Sequence, residues 1–149
     1  MLGFKKQKKS RNRKRDLKRE LADTDARLAL LKVQLAAQMV KLAGQTEDLA
    51  PLKQAEEALS AARNYYTFDT IPAEVLLVQV ALGDMLLKLG RAKSDKSALE
   101  GACEAYRAGI TLASLHGDDR QREELRAKIK LAESFLGKKP PTPSLFKVA

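Results

Sequence analysis

In five successive stretches of this 149-residue chain, apolar residues recur every three or four positions, and nowhere do they alternate with polar ones. A spacing of three and four gathers side chains on one face of an α-helix, whereas a half-buried strand needs a period of two. The stripes are Leu28, Leu31, Leu35, Met39 and Leu42; Leu52, Ala55, Leu59, Ala62 and Tyr66; Val75, Val78, Leu82, Leu86 and Leu89; Leu99, Ala102, Tyr106, Ile110 and Ala113; and Leu125, Ile129, Ala132 and Leu136. Between them the chain is rich in Ala, Glu, Lys, Arg and Gln, all strong helix formers. The expectation is an all-α fold of five helices.

Turn chemistry divides the stripes. Asp23 or Thr24 caps the first helix and Gly44 stops it. The second opens near Thr46–Asp48, with Pro51 tolerable because it falls in the first turn. Residues 67–70 connect it to a third helix that Pro72 starts and Gly90 ends. A loop over Arg91–Asp95 leads to a fourth helix, capped by Ser94 or Asp95 and ending at Gly117. Asp118 and Asp119 open the fifth, where acids suit the N-terminal dipole, and Gly137 closes it. Links this short make antiparallel hairpins the default arrangement.

The charge is distributed unevenly. Lys5, Lys6, Lys8, Lys9, Arg11, Arg13, Lys14, Arg15, Lys18 and Arg19 stand against the single anion Asp16. Ten cations less one anion give +9, the value of the whole chain, so the remaining 130 residues balance at 18 of each sign. Three segments follow: a basic arm over 1–19, a helical domain over 20–137, and a tail over 138–149 whose three prolines read as extended and disordered. Like charges at the arm's density repel, so residues 1–15 are expected to be disordered.

Several classes are disfavoured. Uncharged stretches are short: Val75–Gly83 is nine residues, far short of the ~20 that span a bilayer. The charges run on through Arg27 where a signal peptide needs an apolar segment. Cys103 is the only cysteine, which suits a reducing, cytoplasmic setting. No Gly-rich phosphate loop, nucleophile elbow or metal-ligand spacing is present, so no enzyme activity, cofactor or metal is expected. His116 reads as a helix-end cation and Cys103 as a packing residue.

The first two helices parallel the next two. Val33–Gly44 aligns with Val78–Gly90 across a one-residue gap, and Leu52–Leu59 aligns with Leu99–Tyr106, at an offset of 45 to 47 residues. A two-helix unit of that period marks an α-solenoid. The second unit resembles a tetratricopeptide repeat. Leu82-Gly83 stands at that repeat's Leu-Gly pair, and Ala102, Tyr106 and Gly109 at its small–aromatic–small pattern. The run from Pro72 through Gln79-Val-Ala-Leu-Gly83 is similar to a long-linker bacterial form, with Arg91–Ser97 as the extra residues. The resemblance implies two helical hairpins with the fifth helix as a C-terminal cap, and a protein-binding, adaptor-type role. Some members grip a C-terminal carboxylate with Lys and Asn. Val80 and Asp84 stand at those positions here and cannot do so.

Two sets of residues are candidates for contact. The ten cations of the arm suit a polyanion, nucleic acid or ribosome first, then an anionic membrane surface or an acidic protein, with a solvated tail as the plain alternative. Met1, Leu2 and Phe4 add a small apolar anchor. Gln79, Asp84 and Lys88 of the third helix, with Tyr65 and Tyr66 beside the connector, are the candidate partner groove. A solvated helix face and a closed hairpin end are their plainer roles. Two repeat units are fewer than the three a solenoid normally needs. The first helix therefore has an outer face that is polar, or one that packs on a partner or a second copy, so a homo-oligomer is a further expectation.

Overall fold

A computed structural model describes residues 2–67 and 69–137, with side chains from residue 9 onward. The expected Pro-rich tail, Phe68, Met1 and the side chains of Leu2, Phe4, Lys5, Lys6 and Lys8 lie outside the described residues. Five helices follow one another: α1 Leu2–Thr46, α2 Ala50–Tyr65, α3 Ala73–Ala92, α4 Lys96–Leu115 and α5 Asp119–Phe135. No strand occurs among the described residues.

The helices pair as two hairpins, α1 with α2 and α3 with α4. The hairpins stack, because α3 packs on both α1 and α2, and α5 closes the far side against α4. The core is continuous through all five and centres on Val33, Leu52, Leu59, Val75, Leu82, Tyr106 and Leu125, each fully buried.

Most helix ends follow from local chemistry. Asp95 caps α4 by accepting from the Ala98 amide at 3.2 Å, and Asp118 caps α5 by accepting from the Gln121 amide at 3.0 Å. Gly117 and Gly137 leave α4 and α5 with φ of 68° and 76°, a region glycine enters freely. Two expected stops do not act as stops. Gly44 lies inside α1, which ends at Thr46 before Glu47 turns to φ 56°. An added Cβ at Gly44 would lie 2.8 Å from the Met85 Cε, the flexible end of a side chain from α3. Gly90 lies inside α3, where an added Cβ would be 3.0 Å from that of Ala98. The helix runs on to Ala92, and the expected long link shrinks to residues 93–95.

The largest correction concerns α1. The expected core stripe of Leu28, Leu31, Leu35 and Leu42 faces solvent. The buried stripe is Ala29, Val33, Ala36, Val40 and Ala43, about 130° around the helix. Small and β-branched side chains let α2 and α3 come close, and leucines on that face would hold them apart. The helix also has no N-terminus at Asp23 or Thr24, because it runs back through the boundary at residue 19. Residues 9–15, expected to be disordered, are helical. Lys and Arg are good helix formers, and extending an existing helix needs no new nucleus.

Candidate interaction surfaces

The residues chosen from the sequence as one groove occupy three separate places. Gln79 is only 3% exposed, and its Oε1 accepts from Arg63 Nη1 at 3.1 Å. It braces α3 against α2. Burial lowers the pKa of the Arg63 guanidinium, and nearby Glu56 partly offsets this.

Asp84 links three helices. Its Oδ1 accepts from the Tyr106 hydroxyl of α4 at 2.7 Å, and Lys128 of α5 donates to both of its oxygens, at 2.9 and 3.1 Å. Lys128 Nζ also lies 5.8 Å from the centre of the Tyr106 ring. Burial first, then the hydrogen bond to Asp84, push the Tyr106 phenol well above its usual pKa. Lys88, one turn further along α3, is exposed.

Tyr65 and Tyr66 close one end of the first hairpin. Their rings meet edge to face with centres 5.5 Å apart. The Tyr65 hydroxyl donates to the Ala22 carbonyl of α1 at 2.9 Å. Burial, then Tyr65 and Glu74, raise the pKa of the Tyr66 phenol. Gln79 and Asp84 thus hold the fold together, and a groove of five free side chains does not form. A polar residue at helical spacing looks alike in a sequence whether it meets water or another helix.

A cleft absent from the sequence reading lies between α2 and α4, over a floor of α3. Its volume is about 430 Å³ and its walls include Leu49, Lys53 and Glu56 on one side and Asp95, Ser97 and Gly101 on the other, with Leu86 beneath. The available signal was the run of small residues, Ser97, Ala98, Gly101 and Ala102, at the start of α4.

The remaining surface is α1. Lys9, Arg11, Arg13, Lys14, Arg15, Lys18 and Arg19 are all exposed, and none enters an ion pair among the described residues. Next to them runs an uncovered apolar stripe. Leu17, Leu21, Leu28, Leu31, Leu35 and Leu42 are 41–63% exposed. Among the described residues, the most N-terminal hydrogen bond from α1 to another helix is at Ala22, and residues 9–28 are all exposed, so Leu17 and Leu21 project with the cations beyond the bundle.

His116 sits as the exposed C-cap of α4, and Cys103 is buried in α4. Among the described residues, no group of His, Cys, Asp and Glu is arranged to hold a metal ion, and no helix is long and apolar enough to cross a membrane. Comparisons with known protein families, curated proteins and solved structures return no match for this chain.

Proposed function

We propose that the chain is a non-enzymatic adaptor: a tetratricopeptide-like helical body that holds a protein partner, carrying a polybasic segment that attaches the complex to a polyanion. The observation that carries this reading is the crowding of exposed cations at the start of α1. Lys9, Arg11, Arg13, Lys14, Arg15, Lys18 and Arg19 stand against the single anion Asp16 and enter no ion pair among the described residues, whereas the body balances its charges and ties Arg107, Arg120, Arg122 and Lys128 into ion pairs. Lysine and arginine left without internal partners on a projecting helix are free to neutralise phosphates and release counterions. The stacked hairpins support the tetratricopeptide-like part, since Gly83 and Tyr106 meet at the point where that repeat needs a small residue against an aromatic one. The buried Cys103 fits a cytoplasmic setting for the same proposal.

The second reading gives the whole function to the cationic segment, as a nucleic-acid- or ribosome-associated protein with the body as a spacer. The same unpaired cations favour it. Deleting residues 1–19 separates the two. Retention on RNA at moderate salt is expected to vanish in both. Capture of a protein partner after nuclease treatment persists only if the body is an adaptor. Retention on RNA that survives the deletion overturns the role given to the segment.

A further inference from the structure

We infer that the uncovered leucine face of α1 is covered by the same face of a second copy of this chain, the two helices lying antiparallel. This goes beyond the adaptor reading and does not depend on the identity of any other partner.

The spacing comes first. Leu21, Leu28, Leu35 and Leu42 stand seven residues apart. Leu17 precedes them and Thr24, Leu31 and Gln38 fall between them, so the whole set alternates steps of four and three. That is the seam of a two-stranded coiled coil, about 38 Å long at 1.5 Å per residue. Its centre lies about 130° around α1 from the buried Ala29, Val33, Ala36, Val40 and Ala43. A second helix seated on it lies beside α2 along one edge, where Asp25, Leu28 and Lys32 border Ala61, Asn64 and Tyr65.

Charge then decides both the occupant and its direction. In the antiparallel register centred between Leu28 and Leu31, Leu17 faces Leu42 of the second copy, Leu21 faces Gln38, Thr24 faces Leu35, and Leu28 faces Leu31. Every layer contains a leucine. The flanking positions then set Glu20 against Lys41 of the second copy and Asp25 against its Lys32, each pair occurring twice by symmetry. In the parallel register the flanking pairs are Glu20 with Asp25, Arg27 with Lys32, and Arg13 with Lys18, all of like sign. A parallel pair also lays two +9 segments side by side. The antiparallel pair sends them to opposite ends, where Arg11 and Arg13 come beside the exposed Glu47 and Asp48 that follow α1 in the other copy. It also gives Leu17 and Leu21, which project beyond their own bundle, an apolar surface to cover them.

The test is the mass of the full chain in solution at tens of micromolar and physiological salt. The expected value is twice 16.5 kDa. Leu28→Lys with Leu31→Lys is expected to give the single-chain mass with an unchanged helical circular dichroism spectrum. Lys41→Glu, a surface change, is expected to weaken pairing about tenfold, and Glu20→Lys added to it to restore pairing. For direction, Leu21→Cys with Gln38→Cys is expected to cross-link between chains under oxidation, and Leu21→Cys alone is not. A single-chain mass for the unaltered protein overturns the inference, as does a pair that survives the double lysine change. Cross-linking by Leu21→Cys alone overturns the antiparallel direction. A single chain that still holds RNA through residues 1–19 sinks the pairing and leaves the adaptor reading standing.

Discussion

The Tyr106 hydroxyl donates to Asp84 Oδ1 at 2.7 Å, and the Tyr106 ring lies on the patch of α3 that Gly83 leaves bare. An added Cβ at Gly83 would stand 2.6 Å from the Tyr106 Cε1, closer than real Cβ contacts come. The glycine and the tyrosine together set how near α4 comes to α3, and Lys128 extends the link to α5.

Gly83→Ala is therefore expected to destabilise the fold by about 1–3 kcal/mol, because a fully buried ring has nowhere to retreat. The helix-propensity gain of alanine over glycine opposes this by at most about 1 kcal/mol. Urea unfolding of the two chains measures the difference, and an unchanged midpoint contradicts the close approach.

Tyr106 also predicts a pH dependence. Burial and the Asp84 hydrogen bond raise its folded pKa above the unfolded value of 10.0. A raised folded pKa means that the protonated phenol stabilises the fold. That stability is fully present below about pH 10 and is lost as pH climbs from there toward the folded value. Thermal melts between pH 9 and pH 11 are expected to show a steepening loss in the unaltered chain. The Tyr106→Phe chain, with no phenol to ionise, is expected to lack that component.

The tight side of α1 predicts a third outcome. Ala36 is fully buried among the close-packed helices. Ala36→Leu is expected to cost about 1–3 kcal/mol through overpacking, although it adds apolar surface. The same denaturant titration reports it, and a stabilised protein would show that the buried stripe has been misplaced.

Asp95 and Asp118 supply a fourth. Each accepts a backbone amide three residues ahead and begins a helix. Alanine at either is expected to cost about 1 kcal/mol. The Asp95 change is expected to cost more, since α4 packs on both α3 and α5 while α5 packs almost wholly on α4. Paired melting curves decide the order.

The number of helices and most of their ends were legible because they depend on neighbours a few residues away. A 3.6-residue repeat, an aspartate ahead of a helix, or a glycine where φ turns positive acts over a single turn of chain. Gly90 misled because a glycine that ends a helix and one that admits a neighbouring helix read alike. The groove residues misled similarly. Nothing local in Gln79 announces Arg63, sixteen positions away.

From the sequence alone came five helices, their order, and a cationic segment ahead of an electrically even body. Tertiary structure alone decided which side of α1 points inward. The leucines are the more hydrophobic stripe, but the bundle buries the Ala and Val stripe because α2 and α3 approach too closely for larger side chains. That choice depends on the distance to another helix, which periodicity within one helix does not contain.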